Sequence, residues 1–166
     1  MEKKYELTDI KIEVFGKTLF RIRALRDIEK YGVKKGDLGG YIEKEDNLSH
    51  RGNAWVSENA VVSENAVVRE NAVVRGNAWV RENAVVRENA VVRGNADVLC
   101  LSKIGSRLGT TTAFRTKDGG IGITCGCFAG TFDEFEKKVE ETHGNNKYGR
   151  EYKAAIELIK IHFDVE

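Results

Sequence analysis

The chain of 166 residues contains no proline, so no turn is preset by a locked φ and every tight bend falls to Gly, Asn or Asp. Cysteine is scarce: Cys100, Cys125 and Cys127 are an odd number, two of them one residue apart, which argues against a disulfide framework and for reduced thiols. No run approaches the ~20 apolar residues that span a bilayer, and the opening MEKKYELTDI lacks the apolar stretch of a signal peptide. A cytoplasmic protein without a membrane partner is therefore expected. An excess of one charge is missing too. Lys+Arg 27 nearly cancels Asp+Glu 26, which removes any global electrostatic case for nucleic acid.

What the chain does have is a repeat. Asparagine recurs at 53, 59, 65, 71, 77, 83, 89 and 95, each followed by alanine, and valine stands three residues after each Asn. The unit is Asn-Ala-x-Val-[Arg/Ser]-[Glu/Gly]. Asn47 and Leu48 extend the register backwards and Ile104, six residues after Val98, extends it forwards, giving ten hexads at most. A period of six fits neither the 3.6 of an α-helix nor a plain alternating strand, but fits a short strand plus a corner repeated around a prism. Strand alternation then turns Ala54 and Val56 inward and Trp55 outward, and likewise in each later unit. Asn and Gly are expected to supply the left-handed backbone of the corners.

These residues, for example Val56-Ser57-Glu58-Asn59-Ala60, resemble the hexapeptide-repeat family over roughly a third of the chain. The resemblance implies left-handed coiling with three hexads per coil, so that residues 18 apart stack. The expected fold is mainly β: a short left-handed parallel β-helix of about three coils, roughly 15 Å tall at ~4.8 Å per strand, over residues 47–104. Such a stub cannot bury its own terminal faces. An N-terminal cap, residues 1–46, is read as a β-hairpin over residues 5–25 and a Gly-rich lead-in. A C-terminal ββαα cap, residues 105–166, is read as strands over 110–115 and 121–128 and two helices. The first helix is signalled by the capping box Thr131 to Glu134 and the face Phe132, Phe135, Val139; the second by Tyr152, Ala155, Ile156, Ile159 and Phe163. The order of these segments resembles small phage and prophage hexapeptide-repeat proteins, which implies a viral or prophage origin and no particular activity.

Many proteins of the hexapeptide family are acyltransferases with an interfacial histidine and a loop thrown out of the coil. Here the hexads run without insertion and the one nearby histidine is His50, read as a general base or as a capping side chain. The family's metal enzymes need three convergent histidines, whereas His50, His143 and His162 are dispersed. Cys-x-Cys is not a usual zinc spacing; on one strand Cys125 and Cys127 would both face the way of Ile121 and Ile123, as small core residues. No metal, cofactor or catalytic set is expected. The segment 102–112 combines cations, hydroxyls and glycines, the ingredients of an anion-binding nest, against the plainer reading of a polar connection. It points to Lys103, Ser106, Arg107, Thr110, Thr111 and Arg115 as contacts of a small anionic ligand at the junction of repeat and cap.

The function expected is thus non-catalytic capture of a nucleotide-like anion, a host-defence signal being the ligand considered. Inhibition of a host protein and an acyltransferase-like enzyme are the alternatives. The outward column Trp55, Val61, Val67, Val73, Trp79, Val85, Val91 predicts a homo-oligomer, a trimer, because a contiguous apolar patch usually meets something.

Overall fold

The computed structural model describes residues 2–166. Strands β1 (Tyr5–Val14) and β2 (Lys17–Ala24) form an antiparallel hairpin. Its turn residues Phe15 and Gly16 both hold positive φ, 48° and 75°, the geometry whose twist matches that of the flanking strands. β3 (Leu38–Ile42) runs antiparallel to β2 and parallel to the repeat, with Tyr41 opposite Val61 and Ile42 opposite Val62. The lead-in is therefore part of the first layer of the stack as well as its cover.

Seven hexads each contribute a two-residue strand: β4 (Trp55–Val56), β5 (Val61–Val62), β6 (Val67–Val68), β7 (Val73–Val74), β8 (Trp79–Val80), β9 (Val85–Val86) and β10 (Val91–Val92). Consecutive strands belong to three different parallel sheets visited in rotation. β4, β7 and β10 pair in one, β5 and β8 continue the sheet of the hairpin, and β6 and β9 form the third. Partners are eighteen residues apart, as in Trp55 with Val73 and Val67 with Val85. The alanines from Ala54 to Ala90 and the valines from Val56 to Val92 that alternate with them are at most 1% exposed, as the inward assignment requires.

The left-handed corners fall to glycine, as expected, and to glutamate in place of the expected asparagine. Asn does not take them. Glu58, Glu64, Glu70, Glu82 and Glu88 do, at φ 58° to 63°, and Gly52 and Gly76 take the same place at 69° and 67°. A β-carbon on Gly76 would lie 2.2 Å from the Arg93 carbonyl oxygen, so that corner requires glycine. Left-handed backbone costs a residue with a β-carbon roughly 1–2 kcal/mol, and three of the five glutamates offset the cost with a charge-assisted bond to the next layer. Glu58, Glu64 and Glu70 accept the backbone N–H of Gly76, Glu82 and Glu88 at 2.7, 2.8 and 2.9 Å. The asparagines instead join side chain to side chain, Asn53 to Asn71 and Asn65 to Asn83.

Both degenerate ends of the repeat depart from the expected register. Leu48 bridges Val68, twenty residues on, and so takes a valine position, because the Asn47 side chain reaches in to the carbonyls of Glu64 and Ala66. Ile104 never joins the stack: β11 (Val98–Ile104) opens an antiparallel meander with β12 (Gly109–Arg115), β13 (Ile121–Cys125) and β14 (Phe128–Thr131). The expected strand over 121–128 is thereby two strands and a turn. Helices α1 (Phe132–His143) and α2 (Lys147–Phe163) follow, α1 with the anticipated capping box.

Alternation along β12 divides the molecule into two cores. Phe114 joins the core of the repeat, while Ala113 packs with Ile123, Phe135, Tyr152 and Ile159 beneath the helices. The same face of the meander closes the open ladder. Val85 N–H donates to the Thr112 hydroxyl at 3.1 Å and the Thr124 hydroxyl donates to Val85 O at 2.9 Å, with Trp79 N–H donating to Asn95 Oδ1 at 2.8 Å. These backbone groups would otherwise lack partners, because no further layer follows.

Much of the outward apolar column is covered within one chain. Trp55, Val61 and Val73 are 2%, 4% and 8% exposed, while Val67, Trp79, Val85 and Val91 stay half-buried. A strap after β2 climbs one edge of the stack, where Arg26 donates to Gly52 O, Tyr31 to Asn71 O and Lys30 to Asn89 Oδ1. The apolar wall inferred from the pattern is therefore only partly open.

Candidate functional site

The six residues expected to converge do not. β12 carries Thr110 near one end and Arg115 at the other, five residues apart or roughly 17 Å at strand rise. Arg115 is engaged in the fold: it donates to the carbonyls of Phe163 and Gly119 and lies 5.1 Å from the centre of the Phe163 ring. Thr110 shares a hydrogen bond with Ser102 at 3.3 Å, on the opposite strand face from Thr111. Lys103 is exposed, at a left-handed bulge of β11 with φ 62°. The expected nest is also partly filled, since Gly105 N–H already donates to the Glu151 carboxylate at 2.8 Å. The junction itself is closed by Thr112, Phe114 and Thr124.

Ser106 and Arg107 occupy the exposed turn between β11 and β12, and there they meet a cavity of about 290 Å³. It opens between that turn, the turn joining β13 and β14, and the two helices. Phe128, Phe135, Val139 and Tyr152 make its floor. Arg107, Lys138 and His143 line it as well, and none of its lining residues is a carboxylate. Among the described residues neither Arg107 nor Lys138 forms an ion pair. A site of this kind, apolar below and cationic at its sides, suits an anion carried on a flat apolar body.

Beneath the floor, Thr111 is 1% exposed and donates its hydroxyl to the Cys125 sulfur at 3.2 Å. The same sulfur lies 3.5 Å from Tyr152 Oη. The His143 ring stacks on Tyr152, centroids 5.5 Å apart and planes 25° from parallel. Burial, then the hydrogen bond with Cys125, pushes the Tyr152 hydroxyl above its ordinary pKa, so it is protonated at neutral pH.

Cys127 does not share a strand face with Cys125. Cys125 pairs with Phe128, which leaves Gly126, at φ 58°, and Cys127 as a two-residue turn with the Cys127 thiol exposed. A glycine inside a strand pattern is the signal that marks such a break. Phe135, Val139 and Tyr152 were legible as a buried helical face, but nothing in their spacing says that this face stops short and leaves a hollow.

Elsewhere, His50 packs at the other end of the repeat. Its ring stacks on Tyr5 at 4.3 Å and its Nδ1 accepts the Lys4 N–H at 3.2 Å, so it is held as a packing and capping side chain. A second cavity, of about 400 Å³, has the opposite sign, with Glu88, Asp118, Asp133 and Glu134 around it. Among the described residues no three His, Cys, Asp or Glu side chains converge as a metal site, and no helix is long and apolar enough to cross a membrane.

Comparison with protein-family models gave no match, and comparison with curated proteins gave none.

Proposed function

We propose that this chain is a non-catalytic binding protein, of phage or prophage type, that captures a small anionic, nucleotide-like ligand, a host-defence signal in the cytoplasm of the bacterial host. One observation carries the reading: the cavity beside Arg107 combines an aromatic floor with Arg107, Lys138 and His143 and has no carboxylate in its lining. An anion there gains cationic donors without like-charge repulsion, and a base-sized ring gains apolar contact. Of the contacts first expected, Ser106 and Arg107 stay in this proposal, with Thr111 supporting the floor. Lys103, Thr110 and Arg115 leave it.

The reading includes a left-handed, hexapeptide-type parallel β-helix, supported by the eighteen-residue offset between paired strands. It also includes a homotrimer joined through the half-buried valines Val67, Val85 and Val91. Light scattering tests the trimer, and a monomer mass at micromolar concentration would remove it. Calorimetry with a panel of cyclic and linear nucleotides, on wild type and Arg107→Ala, tests the ligand. Binding that Arg107→Ala weakens is expected; none across the panel, or undiminished binding by the variant, would sink the site. Recovery of altered nucleotide would replace the binder by an enzyme.

A second reading, an inhibitor that docks on a host protein, is favoured by two protruding apolar side chains, Phe15 at 82% and Ile161 at 76% exposure.

A further inference from the structure

In the ladder, Ala72 O accepts the Trp55 N–H and Val68 O accepts the Ser49 N–H from the layer below. The matching groups of the first layer, Ala54 O and Leu48 O, therefore face away from the stack, with no layer beneath them to donate. Two adjacent side chains take that role. Lys4 Nζ donates to Ala54 O at 2.6 Å, and the Tyr5 hydroxyl lies 2.8 Å from both Leu48 O and Glu45 O. Lys4 and Tyr5 are both 0% exposed, and Leu25 N–H ties the segment down by donating to Lys4 O at 2.9 Å.

Two groups in this plug hold it only without an extra proton. Lys4 Nζ has Ala54 O as its one acceptor among the described residues, so an ammonium there is both desolvated and short of partners. Burial, and then the charge of Arg26, lower its pKa to about 7. His50, stacked on Tyr5, accepts the Lys4 backbone N–H at Nδ1, which an imidazolium cannot do. The other charged groups around them are Lys3 and Glu45, paired at 2.6 Å, and Asp46; Glu45 also lies 3.7 Å from His50 Nε2. We infer that Lys4, Tyr5 and His50 form a proton-sensitive plug on the first layer, tight while the Lys4 amine is neutral and His50 Nδ1 bare, and loosened when either takes a proton. Opening leaves Ala54 O and Leu48 O without donors and bares a sheet edge of the kind that pairs with another strand. Closing the plug releases the Lys4 proton, so raising the pH from 7 to 8.5 tightens it about tenfold per unit. The device is independent of the anion cavity at the other end of the stack.

Amide exchange on the full chain reads the plug at the N–H groups of Lys4 and Leu25, against Val67 N–H, which donates to Ala84 O inside the stack. After correction for intrinsic exchange, both plug amides should be less protected than Val67 at pH 7, and their protection should rise about tenfold per pH unit to pH 8.5. Lys4→Met keeps the bulk and loses the amine, so it should hold them level over that range. His50→Asn offers an oxygen to the same N–H and takes no proton. It should abolish the further loss of protection that wild type shows from pH 7 down to about pH 5.5. Circular dichroism verifies that both variants fold, and the wild-type course decides even where one does not. Plug amides as protected as Val67, protection that ignores pH, or the wild-type course in either variant would each overturn the inference.

Discussion

Glu58, held at φ 58°, accepts the backbone N–H of Gly76 at 2.7 Å, across the eighteen residues that separate two layers of the repeat. The strained corner and the bond between layers are thus properties of one side chain. Glu58→Ala keeps the strain and removes the bond, whereas Glu58→Gly removes both. Losses of about 1–3 kcal/mol for alanine and a visibly smaller loss for glycine are expected from urea denaturation. Glycine equal to or worse than alanine would separate the carboxylate from the corner.

The inward column admits no added volume. Ala72 is 0% exposed, enclosed by the inward valines of the repeat, and Arg69 is on the surface. Ala72→Leu should cost about 1–3 kcal/mol by overpacking, against no more than about 0.5 kcal/mol for Arg69→Ala. Melting temperatures of the two variants decide it, and equal values would refute the facing of the hexad.

The closure of the ladder rests on two threonine hydroxyls. Thr124→Val keeps the shape but leaves Val85 O without the donor now at 2.9 Å. A buried unsatisfied acceptor costs about 1–3 kcal/mol. Amide exchange should quicken through β9 and its neighbours ahead of β4, at the far end of the stack; uniform exchange would mean that the hydroxyl contributes nothing local.

Stability should rise with pH just above neutrality, because of Lys4. Its side chain is fully buried and donates to Ala54 O at 2.6 Å. Desolvation, with the charge of Arg26 adding to it, lowers its pKa from 10.5 to about 7. Between those values the unfolded chain binds the proton and the folded chain releases it, so stability increases with pH, by at most ~1.4 kcal/mol per unit. Burial raises Cys100, whose contribution is lost only as the pH passes its ordinary value of 9.0. The window for Lys4 is therefore about pH 7 to 8.5. Denaturation midpoints across it should climb in wild type and stay level in Lys4→Met; parallel slopes would assign the rise to another group.

The sequence alone determined the period of six, the inward Ala and Val, the N-terminal hairpin and the two amphipathic helices, because each is a short-range pattern in which facing repeats at a fixed interval. It did not determine which corner residue turns left-handed. Asn is preceded by Glu in some hexads and by Gly in others, and at Glu58, Glu64 and Glu70 the choice is supported by the amide that the carboxylate finds a layer away. Nor did it place the end of the repeat, since Val98 keeps the hexad spacing but is claimed by Phe114 on another strand. The cavity was least legible of all. Arg107, Cys125, Lys138, His143 and Tyr152 come from four separate segments, and only the packing of two helices on an antiparallel meander brings them together. The grouping of Arg115 with Arg107 failed for the complementary reason: closeness along the chain is not closeness in space once a strand extends at ~3.3 Å per residue, whereas Lys103 and Thr110 stay at the same hairpin end without lining the cavity.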